Sequence, residues 1–122
     1  MGWEVQFHAA FEIEVLAFER DVRVALVAAA KLLSDYGPQL GRPHADTLKG
    51  SRYPNMKELR FEAADGEWRA AFAFDPERRA IVLVAGDKSG GSQKRFYKTL
   101  IAKADLRFSE HLESLKSVRK GK

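Results

Sequence analysis

The chain has 122 residues, 45% hydrophobic and 31% charged, with eight Phe and two Trp: enough apolar material for one domain with a core of its own and too much for a disordered chain. Cysteine is absent, which excludes disulfides and thiolate metal ligation, and His8, His44 and His111 are too scattered for a metal motif, so a metal-free protein without a cofactor is expected. No segment is long enough to span a bilayer and no basic stretch followed by an apolar run opens the chain, so a cytoplasmic protein without a membrane partner is expected.

Trp3, Val5 and Phe7 alternate with Glu4 and Gln6, the pattern of a first strand. Phe11 to Phe18 fits two periods: Phe11, Val15 and Phe18 match a helix face, whereas Phe11, Ile13 and Val15 match a strand. The turn-free run into the next segment favours helix. From Asp21 to Tyr36, Val22, Leu26, Ala29 and Leu33 recur at helical spacing. Asp21 is placed to cap this helix, and Gly37-Pro38 ends it with a left-handed cap and a helix breaker. Pro38 to Pro54 reads as a loop.

Lys57 to Phe74, KELRFEAADGEWRAAFAF, is a hairpin with two distinct faces. Asp65-Gly66 is the dipeptide of a two-residue type I′ turn, which predicts Ala64 opposite Glu67, Glu62 opposite Arg69 and Leu59 opposite Phe72. Leu59, Phe61, Ala70 and Phe72 then share one face, and Arg60, Glu62 and Arg69 the other. Two arginines on a rigid face make an anion site; the simpler reading is a cross-strand Arg69–Glu62 pair contributing about 0.2–1 kcal/mol.

After the Asp75-Pro76 turn, Ile81 to Ala85 is apolar at every position, as in a central strand covered on both faces. Gly86 to Gly91 is a flexible loop. Ser92 opens a last helix carrying the stripe Tyr97, Leu100, Ile101, Ala104, Phe108, Leu112 and Leu115. Residues 117–122 are expected to form a frayed basic tail. All of residues 1–122 are taken as a single domain.

The charge is unevenly spread. Residues 1–87 hold 11 Lys and Arg against 14 Asp and Glu, net −3, and residues 88–122 hold 10 against 3, net +7. Such asymmetry points to a polyanion, although a solvated basic helix has the same signature. No nucleophile motif, GxxxxGK loop or GxGxxG spacing is present. What the sheet can gather is Lys49, Arg52 and Tyr53 before the hairpin, Lys57, Arg60 and Arg69 on it, and Lys88, Lys94, Arg95 and Tyr97 after the third strand. Guanidinium matches a phosphate bidentately, and Tyr offers a face to a base. For Lys49 and Lys94 the plainer reading is a solvated surface lysine, and for Tyr97 a place on the helix stripe.

The helix ending Tyr36-Gly37-Pro38, then Leu40-Gly41-Arg42-Pro43-His44, Leu48-Lys49-Gly50-Ser51-Arg52-Tyr53-Pro54, Glu58-Leu59-Arg60, and Arg69 leading into Phe72-Ala73-Phe74-Asp75-Pro76 together resemble the RelE/ParE toxin superfamily. The match is to its HigB-like, phage-derived Gp49-like branch, over roughly residues 20–110. The resemblance implies an α+β fold: a small antiparallel sheet, made of an N-terminal strand and a three-stranded meander, packed against two N-terminal helices, with a C-terminal helix. It also implies the toxin of a type II toxin–antitoxin pair, a ribosome-dependent endoribonuclease that drives a ribose 2′-OH onto the adjacent phosphate without a metal. Its partners would be a helix-turn-helix, HigA-like antitoxin, the ribosome and messenger RNA.

By position, the resemblance gives Arg69 phosphate stabilisation, Lys57 and Arg60 the role of base or backbone clamp, Lys88 the cationic position after the last strand, and Tyr97 that of the tyrosine at the cleaved nucleotide. Lys49, Arg52, Lys94 and Arg95 would bind RNA. A lysine acts as base only when its pKa falls well below about 10.4, which clustered cations can achieve. Two competing readings remain on the same residues: a ParE-like toxin acting on DNA gyrase, and a non-catalytic interaction module.

Overall fold

A computed structural model describes residues 2–120, with side chains described through residue 117. Five strands form one sheet in the order β1-β5-β4-β3-β2: β1 Val5–Phe7, β2 Ala45–Thr47, β3 Lys57–Ala63, β4 Gly66–Phe74 and β5 Ala80–Asp87. Helices α1 Ala9–Leu16 and α2 Arg20–Tyr36 cover one face; α3 Gln93–Lys120 covers the other. The sheet is mixed, not antiparallel throughout, because β1 runs parallel to β5, with Val5 opposite Ala80 and Phe7 opposite Val82. A fifth strand, β2, lies in the segment expected to be loop and pairs with Lys57, Glu58 and Leu59.

Residues 11–16 of the segment 11–18 are helical, within α1, and a turn at 17–18, not the turn-free run expected, separates them from α2. Phe11 is fully buried and Val15 and Phe18 pack beside it, while Ile13, which the strand alternative would have buried, is 71% exposed. On α2 the expected stripe Val22, Leu26, Ala29 and Leu33 is buried, the last three in one cluster with Leu59, Ala70, Phe72 and Val82. Asp21 sits in the first turn rather than capping it; Glu19 holds the cap position without a side-chain hydrogen bond. Gly37 ends α2 at φ 57° and ψ −138°, its N–H donating to the Leu33 carbonyl. On the opposite face Leu100, Ala104 and Phe108 of α3 are buried against Ala71, Ile81 and Leu83, with Tyr97, Ile101 and Leu112 beside them. Helix α3 continues to Lys120 through the first part of the segment expected to fray at 117–122; residues 121 and 122 lie outside those described.

The hairpin is two-faced as expected, but its turn is one residue earlier. Ala63 pairs with Gly66, Glu62 with Glu67, Arg60 with Arg69 and Leu59 with Ala70, so Ala64 and Asp65 are the loop residues, at φ 50° and 61°. Glu62 therefore does not face Arg69, and Leu59 does not face Phe72. The reason lies across the sheet. A Cβ on Gly66 would stand 2.5 Å from Asp87 Oδ2, and Asp87 Oδ1 accepts the Glu67 N–H at 3.1 Å. The glycine is needed where a carboxylate approaches the backbone, not in the turn. Because moving the turn by one residue shifts the cross-strand pairing by two, each side chain keeps its face.

Beyond Val82 the outer edge of β5 has no strand partner among the described residues. There Arg107 reaches from α3, donating to the Leu83 carbonyl at 2.8 Å and to Glu14 Oε1 of α1 at 2.8 Å. The Arg107 hydrogen bond is the main reason the Glu14 carboxyl titrates below the usual range, with burial opposing it.

Asp75 organises the β4–β5 turn. Its buried carboxylate accepts the N–H groups of Glu77 and Arg79 at 2.9 Å each, and meets Arg79 Nη2 at 3.1 Å and His111 Nε2 at 2.8 Å. Burial pushes its pKa up, but the His111 contact and the Arg79 hydrogen bonds outweigh it, so the group titrates below the ordinary range. A carboxylate with a lowered folded pKa contributes stability above its unfolded pKa of about 3.9, and that contribution disappears as pH falls through the folded value. Asp75→Asn is therefore expected to destabilise the protein by about 2–4 kcal/mol at pH 7. The gap from wild type in urea unfolding should narrow below about pH 4; a gap independent of pH would refute the charge's role.

Candidate functional site

Alternation along β3 and β4 sends Glu58, Arg60, Glu67 and Arg69 to the α3 face of the sheet. Arg60 and Arg69 stand directly opposite each other. Like charges so placed repel, and Glu58 offsets this. Its carboxylate, only 5% exposed, lies 3.3 Å from Arg60 Nε through Oε2 and 3.9 Å from Arg69 Nε through Oε1. Neither contact is aligned as a hydrogen bond, so both Nε atoms are buried without a hydrogen-bond partner. Arg69 is held by its Nη1 donating to the Trp68 carbonyl at 2.9 Å, and is 7% exposed.

Two further groups complete the cluster. Tyr97, near the start of α3, donates its hydroxyl to Glu58 Oε1 at 2.9 Å. Burial, followed by the neighbouring Glu58 carboxylate, raises the phenol pKa, with Arg69 pulling the other way, so the hydroxyl stays protonated at neutral pH. Lys88 follows β5. Its backbone N–H donates to the Glu67 carbonyl at 2.7 Å, its amine is 4.0 Å from Glu67 Oε1, and Arg69 Nη2 is 3.9 Å from the same oxygen. Glu67 thus ties Lys88 to Arg69. The loop holding Lys88 is fixed by Asp87, which accepts the Ser89 hydroxyl at 2.6 Å, the main cause of its lowered pKa.

The other expected site residues are elsewhere. Lys57 lies on the α2 face, where its amine donates to the Pro38 carbonyl at 3.3 Å; strand alternation separates it from Arg60 and Arg69, so it does not join them. Lys49 and Arg52 are exposed. The Arg52 N–H donates to Asp105 Oδ2 at 3.1 Å, and its guanidinium lies over the Tyr53 ring, which places it beside Asp105, about 12 Å along α3 from Tyr97. Lys94 and Arg95 are exposed in the first turn of α3, and Arg95 lines a separate, largely apolar cleft of about 420 Å³ with Gly86, Phe96 and Lys103.

The cluster also borders a cleft of about 460 Å³ over the outer edge of β3. Ala25, Ala28, Ala29 and Leu32 of α2, with Pro43, His44 and Phe61, line it beside Arg60, Glu62, Glu67 and Arg69. Glu58 and Glu67, which the sequence reading assigned no role, are the acids that organise the cations. Their signal was parity, since each is two residues from an arginine of the same strand. Among the described residues no group of acidic, histidine or cysteine side chains has the arrangement of a metal site, and no helix is long and apolar enough to cross a membrane.

A mixed five-stranded sheet between two N-terminal helices and one C-terminal helix is a RelE-like fold. The solved structure of E. coli toxin RelE, an arginine double mutant in the free state, matches with a TM-score of 0.60 at 14% identity, over 84% of this chain and 97% of that one. Residues 14–109 match the family described as "Phage derived protein Gp49-like (DUF891)", and the chain belongs to that family. It is 45% identical over 98 residues to HigB3 of Mycobacterium tuberculosis, covering 80% of this chain and 83% of HigB3. It is 42% identical over 102 residues to HigB2 of the same organism, spanning 83% of this chain but about half (50%) of HigB2. Both relatives carry names of toxins.

Proposed function

We propose that this chain is the toxin of a type II toxin–antitoxin pair: an endoribonuclease that cleaves messenger RNA on the ribosome by attack of a ribose 2′-OH on the adjacent phosphate. The observation that carries the reading is the opposed pair of guanidiniums of Arg60 and Arg69, held semi-buried with their Nε atoms beside the Glu58 carboxylate and with Lys88 and Tyr97 at its border. Such N–H groups favour a phosphate whose charge grows in the transition state, and a fixed array needs no reorganisation to supply them. Arg69 and Arg60 bind the scissile phosphate. The Lys88 ammonium protonates the leaving 5′ oxygen. Tyr97 meets the ribose and base of the cleaved nucleotide. The relatives' names support the toxin role, and with it a cognate antitoxin, in this branch a small HigA-like helix-turn-helix protein that covers the cationic face. Ribosome and messenger RNA, and so the cytoplasm, complete the setting.

Induced expression in a bacterium tests this. Growth arrest with 5′ ends phased to codons in primer extension of an abundant transcript is expected, and both the phasing and the cuts should vanish from a transcript whose ribosome-binding site is destroyed. Arrest with intact transcripts and broken or relaxed DNA would move the assignment to a gyrase-directed toxin. Soluble protein without arrest would leave an interaction module.

A further inference from the structure

Where α3 begins beside β5, the helix presents two rows that the arginine cluster does not use. Arg95, Thr99 and Lys103 fall at i, i+4 and i+8 and are all exposed. One residue further round, Phe96 and Leu100 repeat the spacing as an apolar row, Leu100 buried and Phe96 half-buried. Both rows line the cleft of about 420 Å³, together with β5 at Gly86 and the loop at Gly90 and Gly91. Among the described residues no acidic side chain lines it. Neither Arg95 nor Lys103 is in an ion pair among those residues; Lys103 acts on Glu14 only as a neighbouring charge. Gly86 keeps the floor close, since a Cβ there would stand 3.0 Å from Phe96 Cε1. Gly90 and Gly91 leave the mouth open, because a Cβ at either would meet nothing within 4 Å.

We propose that this cleft is a second nucleotide subsite: it takes the base of the nucleotide 3′ of the scissile phosphate against Phe96, with the RNA backbone along Arg95, Thr99 and Lys103. The proposal rests on the ribonuclease reading of the neighbouring cluster. A cationic row beside an apolar row matches an unpaired RNA strand, whose charge runs along one side and whose base faces lie on the other. Arg95 and Lys103, having no acid to neutralise, are free for phosphates. From one to the other is about 12 Å along α3, room for a dinucleotide step and less than the roughly 17 Å of an ordinary protein strand. The position fits as well. Gly86 pairs directly with Arg69, so the cleft begins one strand away from the arginine set on the scissile phosphate. Lys88, which protonates the leaving 5′ oxygen in that reading, stands in the segment that runs on to Gly90 and Gly91. That oxygen belongs to the 3′ nucleotide, whose base therefore leaves the cluster on the cleft side while Tyr97 keeps the 5′ one. The Phe96 and Tyr97 rings meet edge to face at 5.2 Å, a wall that the two subsites share. Stacking on a phenyl ring is open to every base, so the subsite adds grip on the strand without a base preference.

The test is single-turnover cleavage of a synthetic messenger RNA on programmed ribosomes, titrated with the full chain. The RNA carries either a normal or an abasic nucleotide 3′ of the cut. Phe96→Leu removes the ring and keeps an apolar side chain; Thr99→Trp fills the cleft from an exposed position, and decides the matter if Phe96→Leu fails to fold. Each variant on normal RNA, and wild type on abasic RNA, is expected to raise the half-saturating concentration about 10-fold, the size of one lost base stack, with the saturated rate within about threefold. On abasic RNA Thr99→Trp should cost nothing further, because no base is left to exclude. Losses that multiply would place the base elsewhere, and Thr99→Trp within about twofold of wild type would leave the cleft without a nucleotide; either overturns the subsite. A Thr99→Trp variant that cleaves normally but escapes neutralisation by a co-expressed antitoxin would overturn it in favour of an acidic protein segment. If wild type leaves the RNA intact, the ribonuclease reading falls and takes the subsite with it; an active wild type beside an unaffected Thr99→Trp removes the subsite alone.

Discussion

Arg69→Ala is expected to abolish growth arrest on expression and to lower single-turnover RNA cleavage by about 10²–10³-fold, the loss typical of removing one preorganised group from a developing oxyanion. The residue sits in the middle of the sheet, paired with Arg60 on one side and Gly86 on the other, so its stem is held by two strands. Truncation removes the Nη1 bond to Trp68 and leaves Glu58 and Glu67 with one cation fewer each. Arg69→Lys separates charge from shape: a point charge without the planar fork should recover only part of the lost rate. Equal activity of the lysine variant and wild type would reduce Arg69 to a counter-ion. Circular dichroism must show both variants folded, since the residue is buried.

Gly37→Ala is expected to destabilise the protein by about 3 kcal/mol or more, read as a lowered urea midpoint without a change of slope. Two costs combine. The backbone at φ 57°, ψ −138° is open to glycine and strained for any other residue. A Cβ there would also fall 2.3 Å from Trp3 Nε1, inside the indole ring that packs against Phe74. Because the Trp3 N–H and carbonyl are bonded to Ser34, the ring cannot retreat without detaching the N-terminal segment from α2. A change below about 1 kcal/mol would show that this junction yields easily.

Much of this architecture was legible because it follows from periodicity. The α2 stripe, the covered β5 and the two faces of the hairpin are statements about which side chains recur every 3.6 or every 2 residues, and burial enforces them. The turn offset was not legible, since the demand on Gly66 comes from Asp87, twenty-one residues away. Nor was the direction of β1, whose three residues carry no sign of parallel or antiparallel pairing. The site divides in the same way. Arg60, Arg69, Lys88 and Tyr97 do gather, but Lys57 shares parity with Leu59 and Phe61, so the alternation already placed it on the apolar face. Residue type drew it into the candidate set; geometry removed it. Glu58 went without a role for the opposite reason, because a search for cations has no place for the acid that lets two of them stand face to face.

Arg107 bears on something other than folding energy. A strand whose outer edge lacks a neighbour is a template on which another chain can grow a ladder, and the hazard rises with protein concentration. On this edge the Leu83 carbonyl is already taken by a guanidinium that is itself clamped to Glu14. An incoming strand would have to evict a charged, hydrogen-bonded group before forming its first rung. The sheet is thereby closed to chain-to-chain growth at the one side where β1 stops short.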